Sequence, residues 1–169
     1  MDNLGEQEMH ADHGGSSWPT AKPVHLTKSL NQLCHMPRTT WVALKIRSIT
    51  TCDRLLSAVG RYEDRETFAQ ATQISMDDLT ILVRRADLAR VRGLGWVFRS
   101  MLEELDVADI ATLAHHDSHK LHERLRTYNK TFKIARRSPT LAEVFDWISQ
   151  AQRLPKMVTY IHQYQKATG

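Results

Sequence analysis

The segment with the clearest capacity for chemistry is a short turn with two glycines, Gly93-Leu94-Gly95, between two stretches of helical spacing. Glycine has no side chain, so the amide N–H groups of such a turn can approach a phosphate oxygen closely. The helix that follows presents its positive end at the same place. Arg90, Arg92 and Arg99 are near in sequence and would add charge-assisted bonds. The turn therefore predicts contact with a nucleic-acid backbone without readout of the bases.

The same turn has two other interpretations. A Gly-x-Gly also forms tight helix corners that bind nothing. The apolar side chains directly after the turn suit a protein interface, or a stacked base, better than a phosphate groove. The candidate nucleic-acid-binding residues are Arg90, Arg92, Gly93, Leu94, Gly95, Trp96 and Arg99. The candidate partner-binding residues are Trp96, Val97 and Phe98.

Other groups of reactive residues give weaker signals. Four histidines, His115, His116, His119 and His122, lie around a predicted helix start, where we expect surface residues and no metal site. No Ser/His/Asp arrangement, Gly-Lys-Ser phosphate loop or nucleophile elbow is present, so we expect no enzyme, no cofactor and no small-molecule substrate. The paired cations Arg84-Arg85 and Arg136-Arg137 suit either phosphates or ion pairs with Asp87 and Asp146.

Composition indicates a globular protein with an ordinary core. The chain has 169 residues, 41% of them hydrophobic, and a formal charge of +4. Between positions 84 and 137, twelve Lys/Arg face seven Asp/Glu, whereas positions 1–23 carry one Lys and four acids. A basic middle of this kind suits a polyanion. The two cysteines show no Cys-x-x-Cys spacing and indicate reduced thiols, and no apolar run approaches membrane-spanning length. We expect a cytoplasmic protein with no membrane span.

The spacing of apolar residues predicts an all-α fold, because no segment alternates with a period of two. Helices are expected over 41–49, 52–59, around 65–71, from Ser75, after the glycine turn, over 107–114, from Asp117 and from Thr140 or Ser138 until Pro155. Phe145 and Trp147 in the last helix are expected in the core, as is Trp41.

A weak internal repeat suggests two halves. The segment from Ile46 to Leu56 parallels the one that begins at Val91, with Ser48 and Thr50 in the places of the two glycines. We therefore expect two helix-hairpin-helix-like halves that share one core, the first of them degenerate. The expected divisions are a flexible acidic leader over 1–23, the first half over 24–78, and the second half with a C-terminal extension over 79–169.

From Leu79 to Tyr160 the chain resembles an uncharacterised bacterial family of tandem helix-hairpin-helix domains that carries only a domain-of-unknown-function label. The segments that carry the resemblance are 83–90, Gly93-Leu94-Gly95, 121–125, 136–139, 144–148 and 154–160. Residues 41–73 resemble the first hairpin of that family. The resemblance implies a helical fold and, by analogy with other helix-hairpin-helix proteins, DNA binding; it implies no catalytic residue.

Two functions from different classes follow. The first is sequence-independent binding of a nucleic-acid backbone through the glycine turn. The alternative is a protein–protein adaptor, or a small accessory subunit of a larger assembly, that docks through the tip of the hairpin and the leader.

Overall fold

The protein is all-α over the residues that the structure, a computed structural model, describes, which are 29, 30, 34 and 36–160. This range has no strand, only an isolated bridge between Ser29 and Thr51. The expected leader over 1–23 lies outside it. The helices are α1 (Arg38–Ile46), α2 (Cys52–Val59), α3 (Tyr62–Thr72), α4 (Met76–Leu88), α5 (Trp96–Glu104), α6 (Ile110–Ala114), α7 (Ser118–Phe132) and α8 (Leu141–Arg153).

Side-chain caps explain where most of these helices begin. At five helix starts a hydroxyl or carboxylate accepts a hydrogen bond from the backbone N–H three residues on, which satisfies a donor that has no partner within the helix. The caps expected at Ser75 and Asp117 are confirmed, and Thr140 rather than Ser138 caps α8. At α8 the Glu143 side chain also accepts from the Thr140 N–H, which completes a capping box.

A repeat is present, but in a different register from the expected one. Ser48 after α1 and Asp106 after α5 both have left-handed backbone, with φ of 60° and 62°. At each place the next residue is buried, and its N–H donates across the helix end, from Ile49 to Leu44 and from Val107 to Leu102. Ser48 therefore corresponds to Asp106, and the expected match between Ser48 and Gly93 was wrong.

The same register extends to the rest of each half. After each left-handed residue, Thr51 and Asp109 cap the next helix, α2 or α6. The long helices α4 and α8 pack on these, and their buried residues recur in the same order. In α4 they are Leu79, Leu82, Val83 and Ala86, and in α8 they are Val144, Trp147, Ile148 and Ala151.

The buried side chains form two clusters instead of the single core that we expected. One cluster joins α1, α2 and α4, and the other joins α5, α6, α7 and α8. Helix α4 therefore packs within the first half, whereas the sequence division at position 79 placed most of it in the second. The clusters meet near the end of α4, where Ala86 and Ala89 belong to the first and Leu88 to the second.

The aromatic residues of α8 behave differently from each other. Trp147 is buried, as expected, but Phe145 is 62% exposed and its assignment to the core was wrong. Trp147 lies on the same buried face of α8 as Val144 and Ile148, at helical spacing. Phe145 lies outside that face. Trp41 is partly buried against the first cluster.

The segment after α8 returns to the first half and is held there by polar contacts. Val158 is buried in the first cluster. Arg65 is 1% exposed and donates through its guanidinium to the carbonyls of Val59, Gly60 and Thr159. The Thr159 N–H in turn donates to the Gly60 carbonyl. This contact joins the end of the described chain to the end of α2.

The absence of a side chain at Gly60 lets the chain after α8 approach the end of α2 closely. A substitution at Gly60 tests this packing. A Cβ at position 60 would lie 2.4 Å from both the Leu56 and Met157 carbonyl oxygens. We expect Gly60→Ala to lower the free energy of unfolding by about 1–3 kcal/mol, the usual cost of overpacking. Gly95→Ala is the control, because a Cβ there meets nothing within 4 Å, and its cost should stay below about 1 kcal/mol. Urea unfolding of both variants measures the difference; equal stabilities would contradict the packing.

Candidate functional site

The glycine corner, residues 92–96, connects α4 to α5 and is anchored by its middle residue. Leu94 is buried in the second cluster, while Gly93 and Gly95 on either side are exposed. Gly93 has φ of 77°, a conformation that glycine adopts without strain. The backbone of the corner is therefore at the surface, and the Leu94 side chain holds it in place.

A second anchor comes from α8. The Gln150 side chain accepts from the Arg92 N–H at 2.9 Å and donates to the Arg92 carbonyl at 3.0 Å. It also donates to the Asp146 carboxylate at 2.7 Å, which fixes the amide orientation. Sequence reasoning missed Gln150, because nothing in its helical position signals a bond to a segment so distant in sequence.

The start of α5 is not covered by a side-chain cap. Gly95 is its N-cap and has no side chain that could accept a hydrogen bond. A Cβ built at Gly95 would meet nothing within 4 Å, so the space outside this helix end is open. The first N–H groups of a helix have no acceptor within the helix and carry partial positive charge. This arrangement can accept an anion.

Arg90 does not lie at the surface of the corner, and its place in the candidate site is corrected. It is 5% exposed, and its guanidinium pairs with Asp87 at 2.7 Å and donates to the Pro155 carbonyl at 2.8 Å. Burial raises the pKa of Asp87, and the bonds from Arg90 oppose that rise. A cation committed to these partners is not available to a phosphate.

Arg99 is also removed from the candidate site. It lies one turn into α5 and is 4% exposed, because it is on the face of the helix that packs inward with Met101 and Leu102. The exposed cation of the corner is Arg92. Of the three arginines expected to meet phosphate, the structure leaves one on the surface.

A further cation approaches α5 from the loop before α8. The Arg137 guanidinium lies 5.7 Å from the centre of the Phe98 ring and pairs with Glu143 at 2.7 Å. This pairing raises the pKa of Arg137 and, with the bond from Thr140, lowers the pKa of Glu143 to about 2. Arg137 is exposed and remains charged at all physiological pH values.

The apolar residues of the tip divide into exposed and buried positions. Trp96 and Val97 are each 37% exposed. Phe98 is partly buried, with its ring centre 5.4 Å from that of Trp147. Phe98 is therefore a packing residue, and only Trp96 and Val97 of the three candidate partner-binding residues present substantial apolar surface.

The paired arginines bind partners other than those expected. Arg85 pairs with Glu103 at 3.0 Å, and Arg84 lies 4.0 Å from Asp109 and 5.1 Å from the centre of the Tyr160 ring. Asp87 and Asp146, the partners expected from sequence, are bonded to Arg90 and Gln150 instead. Arg84 and Arg85 of α4 therefore join the first half to α5 and to the start of α6.

The histidines do not converge. The Nδ1 atoms of His115 and His116 lie within hydrogen-bond distance of the Ala111 and Thr112 carbonyls, one turn back along α6. Within the described range, no three His, Cys, Asp or Glu side chains come together as metal ligands would.

A cavity of about 810 Å³ opens between α6 and residues 155–160. Its buried carboxylates are already bonded within the protein. Asp87 binds Arg90 and the Ile110 N–H, and Asp109 accepts from Thr112 and from the Tyr160 hydroxyl. Burial raises the pKa of Tyr160 to about 12, so its hydroxyl stays protonated as a donor to Asp109. The buried carboxylates of this cavity are thus engaged in bonds within the fold.

Comparison with known proteins places the chain in a family. Residues 36–154 match the family described as domain of unknown function DUF4332. The chain belongs to this family. No curated protein and no solved structure matches it. Among the helices between residues 36 and 160, none is both long and apolar enough to cross a bilayer.

The anchoring of the corner can be tested at Gln150. We expect Gln150→Ala to lower the free energy of unfolding by about 1–2 kcal/mol, because two bonds to the Arg92 backbone are lost. Exchange of the Arg92 amide hydrogen should accelerate more than that of any α3 amide. The matched control is Gln70→Ala at an exposed position of α3. Unchanged exchange at Arg92 would show that Gln150 does not hold the corner.

Proposed function

We propose that this protein binds nucleic-acid backbones without regard to base sequence, with a phosphate group held at the glycine corner. The observation that carries the proposal is the exposed start of α5, which no side chain caps and above which the space is open. Backbone N–H groups at a helix start bind anions through hydrogen bonds and through the helix dipole. In this proposal α4, the corner and α5 act as a helix-hairpin-helix.

The charges near the corner support the proposal and limit its strength. Arg92 is exposed in the corner, and Arg137 lies beside Phe98 of α5. Because Arg90 and Arg99 are buried, few cations remain to neutralise phosphates. Binding to one such site should therefore be weak and should involve one or two phosphates. The proposal keeps the expected cytoplasmic location, where nucleic acid is within reach.

Gly95→Val is the sharpest test of the corner. The valine side chain would project into the open space above the helix start and block an approaching phosphate, and its Cβ would meet no protein atom within 4 Å. We expect affinity for a short DNA duplex of random sequence to fall by at least about tenfold, with the circular dichroism spectrum unchanged. Fluorescence anisotropy at low salt measures the affinity.

The salt dependence and a charge control complete this test. The logarithm of the association constant of the unmodified protein should fall with the logarithm of salt concentration with a slope of about −1 to −2, for one or two phosphates. Arg92→Gln should flatten the slope, whereas Arg61→Gln, at an exposed position before α3, should leave it unchanged. A DNA affinity that does not depend on salt concentration, or that is unchanged in Gly95→Val, would exclude the proposal.

The second candidate function is a protein adaptor that docks through the tip of the hairpin. The exposure of Trp96 and Val97 directly after the corner favours it. Buried tryptophans commonly dominate the energy of protein interfaces.

The adaptor function predicts that Trp96→Ala lowers the affinity for a protein partner by about tenfold or more, while the affinity for DNA changes less. The measurement is the amount of each protein that co-purifies with the tagged chain from a lysate treated with nuclease, which removes partners held only through nucleic acid. The control is Phe145→Ala, which removes an exposed aromatic side chain from a different helix, α8. If Trp96→Ala retains every partner that the unmodified protein retains, the adaptor function fails.

A further inference from the structure

The chain from position 124 to position 140 carries positive charge that the protein leaves largely unbalanced. It contains six Lys or Arg residues and no Asp or Glu, and it covers the second part of α7 and the loop to α8. All six are exposed; they are Arg124, Arg126, Lys130, Lys133, Arg136 and Arg137. Arg137 is paired with Glu143. Among the residues that the structure describes, no carboxylate pairs with the other five.

Two large apolar side chains are exposed among these cations. Phe132 is the last residue of α7 and is 58% exposed, and Ile134 follows two residues later and is 48% exposed. The Phe132 ring packs against Tyr128, with the ring centres 4.6 Å apart, and the rest of its surface faces solvent. Apolar surface in water is unfavourable, so a partner that covers these side chains gains free energy from them.

The exposed side chains lie on a turn that is closed by Asn129. This buried residue of α7 accepts a hydrogen bond from the Ala135 N–H at 2.8 Å and donates to the Ala135 carbonyl at 3.2 Å. Lys133 has left-handed backbone, with φ of 51°, and its N–H donates to the Asn129 carbonyl at 2.8 Å. Because both ends of the turn are bonded to each other, Phe132 and Ile134 are held at the surface. We call residues 130–137 the basic tip.

Two kinds of anionic partner could meet the charge of the basic tip. A nucleic acid offers phosphates and bases, and a base can stack on an aromatic ring such as Phe132, but an aliphatic side chain such as Ile134 cannot stack in this way. A bilayer with acidic lipids offers negative headgroups at its surface and an apolar boundary directly beneath them. Only the bilayer accommodates the cations and both apolar side chains, so the composition of the tip favours a lipid surface.

We propose that the basic tip docks on an anionic lipid bilayer, with Phe132 and Ile134 at the boundary between headgroups and acyl chains and the Lys and Arg side chains against the headgroups. Each cation near the surface strengthens such binding by about fivefold. With only two inserted side chains the attachment is peripheral and reversible. The inference does not rest on phosphate binding at the glycine corner.

The main experiment measures the binding of the full, unmodified chain to lipid vesicles by flotation. One set of vesicles is phosphatidylcholine alone, and the other contains about 30% phosphatidylglycerol. We expect the partition coefficient to be higher by about tenfold or more for the acidic vesicles. It should fall as salt is added, because screening weakens the attraction. Absence of binding to the acidic vesicles, or equal binding to both sets, would overturn the proposal.

The inserted side chains are tested by substitution at exposed positions, where the fold should tolerate the change. Phe132→Ser combined with Ile134→Ser should lower the partition coefficient for acidic vesicles by about tenfold or more, since less apolar surface is buried. The control is Ile46→Ser, which removes a side chain that is 75% exposed on α1, in the other half. If the double variant binds as the unmodified chain does, the tip is not inserted and the proposal fails.

The contribution of charge has its own pair of variants. Lys130→Gln combined with Arg136→Gln should lower the partition coefficient by about tenfold or more, given about fivefold for each cation. Arg61→Gln, at an exposed position before α3, should leave it unchanged. An equal loss in Arg61→Gln would show that net charge acts without any part for the tip, and would contradict the proposed surface.

Gly95→Val separates this proposal from phosphate binding at the glycine corner. It lies outside the tip and should leave vesicle binding unchanged, whatever its effect on the affinity for DNA. The double variant at Phe132 and Ile134 should leave the affinity for duplex DNA unchanged. If acidic vesicles do not bind, and substitutions in the tip lower the affinity for DNA, the tip is a nucleic-acid surface and the lipid proposal is wrong.

Discussion

The buried pair of Asp87 and Arg90 is the interaction on which the arrangement of the two halves depends. One Asp87 oxygen binds Arg90, and the other accepts the Ile110 N–H at the start of α6. Arg90 also reaches the Pro155 carbonyl at the end of α8. Two distant segments, at the start of α6 and after the end of α8, are thus tied to the end of α4. A buried ion pair is favourable only when further hydrogen bonds support it, and here both Asp87 oxygens and both terminal nitrogens of Arg90 have a partner. These bonds of Asp87 and Arg90 fix the direction in which the chain leaves α4, and with it the position of the glycine corner.

The helices were the part of the structure most accessible to prediction, because they depend on local signals. Helical spacing and the caps at Ser75, Asp117 and Thr140 act over a few residues and placed their helices correctly. Phe145 shows the limit of spacing alone. It lies beside the buried face of α8, and only the positions of the neighbouring helices decide which edge of that face is covered.

The candidate site was predictable in its backbone and not in its charges. Two glycines close together signal bare main chain, and the structure places Gly93 and Gly95 at the surface. Whether an arginine faces solvent depends on where its counter-ion lies, and Asp87 cannot be identified from sequence as the partner that draws Arg90 inward. The repeat was misaligned for a related reason. Ser48 and Asp106 adopt the left-handed conformation that is more usual for glycine. An alignment of the two halves based on glycine therefore paired turns that do not correspond.

The corrected repeat has a consequence for Pro37. Pro37 is the N-cap of α1 as Gly95 is the N-cap of the corresponding helix α5, and neither offers a side-chain cap. Pro37 carries a pyrrolidine ring where Gly95 has no side chain, and its nitrogen carries no hydrogen to donate. The two ends of the pseudosymmetric molecule are therefore chemically unequal. Under the function proposed above, a polyanion bound at the Gly95 end alone has a single point of attachment and can rotate about it.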